Sequence, residues 1–166
     1  DQLAQIAGDF SQFANIAAAR KEQFNLTEML SSLSLLFQSK ENVEIHFNTK
    51  DEQCILNEDK TQMNRLFTNL IKNAIEASSS NAMIEIFISL ECAAGEALVA
   101  IEDKGAGISQ GMQPKIFTPN FTTKSSGTGL GLAICKGIVE NAGGKIWFQT
   151  EENKGTTFFV SLPLSV

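Results

Sequence analysis

Hydrophobic positions in the first half of the chain recur at the spacing of amphipathic helices. Residues 3–20 repeat apolar positions at three- and four-residue steps, which predicts a helix that runs to about residue 20. Asn25, followed three residues later by Glu28, is a helix-start signal and predicts a second helix that continues through Phe37. The strongest pattern is one continuous apolar stripe within residues 59–78, which predicts a long helix with a polar outer face.

Alternation of apolar and polar residues predicts the strands. The predicted strands lie at 43–47, 54–56, 84–91, 99–102, 145–150 and 156–162. Residues 93–95 are predicted to form a hairpin turn. A last helix is predicted from about Gly129 to Asn141, and Gly143-Gly144 end it. Runs of adjacent strands broken by helices favour an α/β (α+β) fold. The expected architecture is a two-layer sandwich, in which a mixed, mostly antiparallel sheet is covered by helices on one face.

Length and composition place these elements in one main domain. With 166 residues, of which 43% are hydrophobic, the chain can bury a core of its own. Its first helical pattern has no start signal, so we expect residues 1–24 to be the end of a preceding helical domain and residues 25–166 to form the main domain.

Charge and cysteine usage narrow the possible partners. A net charge of −6 and a pI near 4.8 argue against a nucleic-acid partner that binds to a basic surface of the protein. Cys54, Cys92 and Cys135 are far apart and form no C-x-x-C pair, so we expect free thiols in a reducing cytoplasm rather than a zinc site or a disulfide. No apolar run approaches the roughly 20 residues that span a bilayer, and no signal peptide is visible.

The long helix carries a first cluster of chemical interest. Asn69, Asn73 and Glu76 share one polar face, although two asparagines cost a helix about 1 kcal/mol. An amide oxygen is a hard, neutral ligand that suits Mg²⁺ bound together with substrate phosphates. The alternative is an ordinary solvated helix face.

A second cluster follows the strand that ends at Asp103. Asp103 is in phase with Val99 and Ile101, so its carboxylate points toward the core and needs a hydrogen-bonding partner. The exocyclic amine of a purine is a suitable donor, and Gly105 and Gly107 would let the backbone approach a flat ring. The alternative is a simple Asp-Gly turn.

Two further clusters lie where periodicity is lost, between residues 104 and 128. The stretch Phe117-Thr118-Pro119-Asn120-Phe121-Thr122-Thr123-Lys124 combines aromatic residues, hydroxyls and a cation, which suits a lid that closes on phosphates. Gly127-Thr128-Gly129-Leu130-Gly131-Leu132 runs directly into a helix and predicts a phosphate cradle of backbone N–H groups. It is neither a P-loop nor a dinucleotide fingerprint. The alternatives are a surface loop and a flexible glycine linker, and a linker does not explain the apolar residues that follow at once.

The four clusters resemble, in order and spacing, the N, G1, F and G2 boxes of sensor histidine kinases. These kinases are part of the gyrase, Hsp90, histidine kinase and MutL superfamily, and the resemblance covers roughly residues 25–166. Residues 69–77 look most like the nitrogen-regulation branch. The resemblance implies a Bergerat-type ATP-binding fold and a catalytic domain that transfers the γ-phosphate of ATP to a histidine.

The same resemblance implies roles for individual residues. It places Mg²⁺ on Asn73, adenine on Asp103, and the terminal phosphates near Thr123 and Lys124, with Asn69 and Lys124 as the catalytic residues. The other residues implied in nucleotide binding are Asn69, Lys72, Glu76, Gly105, Gly107, Ile108, Phe117, Thr122, Gly127, Thr128, Gly129, Leu130, Gly131 and Leu132.

Position 69 distinguishes the branches of the superfamily. ATPases and the related serine kinases carry a glutamate there, whereas Asn69 cannot serve as a general base, so the resemblance favours transfer to histidine over hydrolysis. The other hypotheses are a serine/threonine kinase or ATPase of the same superfamily and a degenerate nucleotide-binding interaction module. Asn120 and Glu76 depart from residues that are common in the family, an aromatic and a base.

The resemblance also implies partners. These are the helical dimerisation domain that carries the phosphoacceptor histidine and the receiver domain of a response regulator. His46, the one histidine of this chain, is on a predicted strand with its side chain outward, and we expect it to be structural or solvated. The segment is expected to be cytoplasmic, without direct membrane contact, in a protein anchored in the membrane.

Overall fold

The computed structural model of the chain describes residues 2–119 and 130–165. Its helices are α1 (Gln2–Asn15), α2 (Leu26–Gln38), α3 (Lys60–Ala77) and α4 (Gly131–Asn141), with 3₁₀ turns at Ile16–Ala18 and Gln113–Lys115. Its strands are β1 (Glu22–Asn25), β2 (Val43–Thr49), β3 (Ile55–Glu58), β4 (Ile84–Ala93), β5 (Glu96–Asp103), β6 (Lys145–Glu151) and β7 (Gly155–Pro163). None of the helices in these two ranges is long and apolar enough to cross a bilayer.

A five-stranded sheet organises the domain. The strand order is β2-β4-β5-β7-β6, in which β2 and β4 are parallel and the other neighbours are antiparallel. Residues alternate strictly in burial along β4 and β5, and the buried set packs with apolar residues of α2, α3 and α4 in one core. The predicted sandwich, a mixed and mostly antiparallel sheet covered by helices on one face, is therefore confirmed.

The predicted long helix is α3, and it forms for the reasons visible in its sequence. Asp59 caps its first turn, where Oδ1 accepts a hydrogen bond from the backbone N–H of Gln62 at 3.1 Å. Its apolar stripe is fully buried and consists of Met63, Leu66, Phe67, Leu70, Ile71 and Ala74. Burial of each large side chain in this stripe stabilises the fold by roughly 1.5–3 kcal/mol.

Asn25 caps α2 as predicted and also links two parts of the chain. Its Oδ1 accepts from the backbone N–H of Thr27 and from that of Cys54, both at 3.0 Å. Asn25 also ends β1, a short strand that pairs with β3 and that the sequence did not predict. The strand β1 has only four residues and begins with two polar side chains, Glu22 and Gln23, so its sequence shows no alternation. Only the pairing with β3 defines it as a strand.

The first helix is shorter than predicted. It ends at Asn15 rather than near residue 20, and a 3₁₀ turn follows. The carbonyl of Ile16 accepts hydrogen bonds from the side chains of Gln62 in α3 and Asn141 in α4, at 3.3 and 3.0 Å, while the Ile16 side chain is buried in the core. These tertiary contacts hold the chain directly after the end of α1. The division of the chain at residue 24 stays a prediction.

The expectation of three free thiols is wrong for two of them. Cys54 and Cys92 form a disulfide with their Cα atoms 6.2 Å apart, and Cys135 is free and buried. The two residues are 38 positions apart in sequence, and the parallel pairing of β2 with β4 aligns Thr49 with Leu90 close to both of them. Asp51 also accepts a hydrogen bond from the backbone N–H of Cys92 at 2.9 Å. Because disulfides are rare in a reducing cytoplasm, the cysteines give no support to the expected reducing compartment.

Candidate functional site

Asp103 ends β5 with its carboxylate on the core side of the sheet, as its phase in the strand predicts. The residue is only 4% exposed, and its Oδ1 accepts from the backbone N–H groups of Gly105 at 2.8 Å and Thr156 at 3.3 Å. Burial raises the pKa of Asp103, the two backbone donors lower it, and the nearby charge of Glu102 raises it further. A buried carboxylate held by backbone N–H groups is a fixed acceptor beside the end of the sheet.

The two glycines after Asp103 are required by close contacts with protein backbone. A Cβ at Gly105 would overlap the carbonyl of Ala77 at the end of α3, and Gly107 has a φ of +73° with no room beside Glu151. The N–H of Ala106 also bonds to the Ala77 carbonyl at 3.1 Å. The expectation that these glycines let the loop approach a flat ligand stays untested, because the structure accounts for both by packing.

Two threonines that the sequence analysis missed complete this end of the site. The hydroxyl of Thr150 in β6 lies 2.8 Å from that of Thr156 in β7, accepts from the N–H of Ile108 at 2.9 Å and donates to the carbonyl of Gly155 at 3.2 Å. Thr156 in turn holds Asp103 through its backbone N–H. Thr150 thus joins the β6–β7 hairpin to the loop after Asp103. The sequence signal was weak, since threonine is common in strands.

The polar face of α3 lies next to this loop. Asn69 and Asn73 are half-buried, whereas Lys72 and Glu76 are exposed. Because the loop after Asp103 packs on Ala77 at the end of the same helix, the structure brings the first and second predicted clusters together.

Asn69 connects α3 to α4. Its side chain forms a hydrogen bond with the thiol of Cys135, which is fully buried in α4 and also contacts the Leu66 carbonyl at 3.8 Å. Burial raises the pKa of Cys135 to about 12, against the lowering effects of the Asn69 hydrogen bond and of the Arg65 charge. The thiol therefore stays protonated, and Asn69 has a structural contact in addition to its predicted role.

The start of α4 is the described part of the predicted phosphate cradle. Leu130 is buried and occupies the N-cap position, Gly131 opens the helix with open space around it, and Leu132 is half-buried. Leucine has no side-chain oxygen that could accept from the first N–H groups of the helix. An anion is the kind of ligand that suits such a helix start.

Phe117, the first residue of the predicted lid, packs against side chains of the sheet. Its ring packs against Phe148 and Phe158, with centroids 6.1 and 6.3 Å apart, and the Lys136 ammonium group lies 5.9 Å from its centre. The lid from Asn120 onward and the cradle up to Gly129 lie outside the described residues; these positions are Asn120, Phe121, Thr122, Thr123, Lys124, Gly127, Thr128 and Gly129.

The described part of the predicted site therefore converges along α3. Its C-terminal turn contacts the loop after Asp103, and Asn69 contacts α4 shortly after the helix begins. Ile108, later in the same loop, is half-buried, and its N–H donates to the hydroxyl of Thr150 in β6. The helix α3 thus contacts both the loop after the buried carboxylate of Asp103 and the first part of α4.

Comparisons with known proteins agree with this geometry. The sequence model of the family described as "Histidine kinase-, DNA gyrase B-, and HSP90-like ATPase" matches residues 58–166. Sporulation kinase C of Bacillus subtilis (strain 168) is 35% identical over 143 residues, which are 84% of this chain and 33% of that protein. The catalytic domain of histidine kinase ThkA has a TM-score of 0.77 at 36% identity, and the match covers 87% of this chain and 95% of that one.

A second ThkA structure, in complex with the response regulator protein TrrA, matches with a TM-score of 0.75 at 30% identity, over 96% of this chain and 49% of that one. The chain spans about a third of the length of curated relatives such as sporulation kinase C. The chain belongs to the histidine kinase-, DNA gyrase B- and HSP90-like ATPase family, and its relatives within that family are sensor histidine kinases.

Proposed function

We propose that residues 25–166 are the ATP-binding catalytic domain of a sensor histidine kinase and that residues 1–24 end the helical domain before it. The reaction is transfer of the γ-phosphoryl group of ATP to an imidazole nitrogen of that helical domain, followed by relay to a response regulator. The complex of ThkA with TrrA supports the second partner. A cytoplasmic position, in a protein anchored in the membrane, belongs to the same proposal.

Asp103 is the observation that carries the proposal. Within the described residues, both hydrogen bonds to its carboxylate end at Oδ1, which leaves Oδ2 as the acceptor for an exocyclic amine such as that of adenine. Oδ2 is not among the buried side-chain atoms of the described residues that lack a partner, so this oxygen is open to solvent and to a ligand. Oδ2 can accept from the exocyclic amine while backbone N–H groups hold Oδ1, so the carboxylate of Asp103 fits a purine base.

The remaining groups fit the polar end of ATP. Backbone N–H groups at the start of α4, beside Leu130 and Gly131, would hold phosphate oxygens, and the amide oxygen of Asn73 would hold Mg²⁺. ATP supplies the phosphoryl group and Mg²⁺ the neutralising charge, so that positioning is the main task left to the protein. Thr123 and Lys124 are proposed to contact the terminal phosphates.

The identity of residue 69 favours transfer over hydrolysis. The amide of Asn69 cannot take a proton from water, and its hydrogen bond to Cys135 holds it against α4. We expect phosphohistidine on the helical domain of the full-length protein after incubation with ATP, detected by mass spectrometry. Steady phosphate release without any acceptor would contradict this assignment.

Calorimetric titration of ADP, with and without Mg²⁺, tests the nucleotide site. Asp103→Asn should weaken binding by about tenfold to 100-fold, because a hydrogen bond to a charged group contributes roughly 1.5–3 kcal/mol. The matched control is Glu102→Gln, which removes the same charge from the exposed neighbouring residue and should bind normally. Equal affinities of the two variants would rule out the role of Asp103.

The Mg²⁺ arm of the same titration tests Asn73. Asn73→Ala should reduce the gain in affinity that Mg²⁺ produces and leave binding in EDTA nearly unchanged. Asn64→Ala, on an exposed part of the same helix, is the control for a general effect on α3. An equal loss with and without Mg²⁺ would argue against metal ligation by Asn73.

A further inference from the structure

Three potential metal ligands meet on the outer face of the sheet, the face opposite to the one that α3 covers. Nε2 of His46 lies 3.4 Å from Oε2 of Glu85 and 3.9 Å from Oε2 of Glu44. One ligand atom from each residue can be chosen so that all three lie within 4.8 Å of one another. The cluster joins β2 to β4.

The strand register explains why these side chains converge. In the parallel pair, Glu44 is aligned with Glu85, and His46 comes two residues after Glu44 on the same face. Two carboxylates side by side on neighbouring strands repel each other, in a chain whose net charge is already −6. A cation between them would convert this repulsion into attraction.

The imidazole is held in place by an aromatic neighbour. His46 stacks on Phe87, its aligned partner in β4, with ring centroids 4.7 Å apart and an interplanar angle of 15°. The Lys104 ammonium group lies 5.0 Å from the centre of the Phe87 ring. Rotation of the imidazole away from the two carboxylates would lose the stacking contact, so the ligand set is partly preorganised.

We propose that Glu44, His46 and Glu85 form a binding site for Zn²⁺ or a similar transition-metal dication. One imidazole nitrogen and two carboxylate oxygens are ligands that Zn²⁺ accepts, whereas Mg²⁺ and Ca²⁺ prefer oxygen alone. Metal–ligand bonds of about 2.0–2.2 Å require the exposed glutamate side chains to move inward slightly. A fourth position stays open to water.

Solvent access shapes the expected properties of this site. The three side chains are 49%, 44% and 37% exposed for Glu44, His46 and Glu85, which predicts an exchangeable site rather than a closed structural one. Because β2 is an edge strand, a metal that bridges it to β4 would favour the folded state. This inference is independent of the proposed kinase function.

The single histidine of the chain makes a direct test possible. Zn²⁺ is titrated into the full chain, free of nucleotide, in mildly alkaline buffer where free imidazole is neutral, and the imidazole nitrogen resonances are followed by NMR. Any imidazole signal belongs to His46. We expect a saturable shift of Nε2, and an unchanged imidazole spectrum at saturating Zn²⁺ would overturn the proposal.

Calorimetry on variants distinguishes Zn²⁺ ligation by these three side chains from a general attraction of Zn²⁺ to acidic residues. His46→Ala and Glu85→Gln should each weaken Zn²⁺ binding by at least about tenfold. Glu91→Gln is the matched control, because it removes the same charge from an exposed position of β4 and should bind as the parent does. If Glu85→Gln and Glu91→Gln bind equally well, or if His46→Ala keeps full affinity, the three-ligand site does not exist.

Discussion

The inner face of the five-stranded sheet lies under α2, α3 and α4, whereas the outer face is exposed to solvent along β2 and β4. In β4, Ile86 and Ile88 point inward and are at most 1% exposed, while the alternating residues Phe87 and Ser89 point outward, Phe87 half-buried and Ser89 exposed. Both faces follow from the alternation of side chains along a strand: in β4, even-numbered residues point inward and odd-numbered residues point outward. Which face a polar residue occupies therefore decides its environment.

Asp103 and His46 illustrate the consequence. Asp103 is on the inner face, where burial raises the pKa of its carboxyl and backbone N–H groups fix its orientation. His46 is on the outer face, where stacking on Phe87 is its main constraint and both neighbouring carboxylates stay in water. The inner residue can serve as a rigid acceptor for a base, and the outer one as an exchangeable ligand.

The largest difference between the two faces should appear on truncation of neighbouring residues in β4. Ile88→Ala should lower the free energy of unfolding by about 2–5 kcal/mol, since it leaves a cavity in the core. Phe87→Ala should lower it by about 1 kcal/mol, through loss of ring contacts on a half-exposed surface. Urea unfolding measures both, and similar losses would show that the two faces do not differ as described.

A smaller effect is expected at Thr150, which joins the hairpin to the loop after Asp103. Thr150→Val keeps the shape but removes the hydroxyl, leaving the N–H of Ile108 without its acceptor, at about 1–2 kcal/mol of unfolding free energy. Thr150→Ser keeps the hydroxyl and is the control. We expect ADP affinity to fall several-fold in the valine variant only; equal behaviour of the two variants would refute a positioning role.

The smallest effect, of opposite sign, is expected at Asp103. Because its folded pKa lies above the ordinary value near 3.8, the protonated form favours folding at low pH, and this contribution is lost as pH rises through the folded pKa. Asp103→Asn should therefore be at least as stable as the parent at neutral pH while it binds nucleotide poorly. Thermal unfolding at several pH values checks this, and the difference should vanish as the pH falls toward 3.8.

The predicted elements and clusters were most accurate where the pattern is local. The stripe of α3, the cap at Asn25 and the inward phase of Asp103 are short-range features, and all three are confirmed. Thr150 and Thr156 were missed because their role depends on the register of the β6–β7 hairpin against β5. The disulfide was missed for a similar reason, since no local spacing relates Cys54 to Cys92.

The sequence by itself determined most of the helices and strands, though not β1 or the end of α1, together with the inward position of Asp103 and the resemblance to sensor histidine kinases. These follow from periodicity and from residue types at fixed short spacings, which local backbone geometry translates directly into structure. Only the tertiary structure decided that Asn69 contacts Cys135, that two cysteines are joined, and that Glu44, His46 and Glu85 meet. Such contacts depend on which strands and helices pack side by side, and the free energy that selects this packing is spread over the whole core.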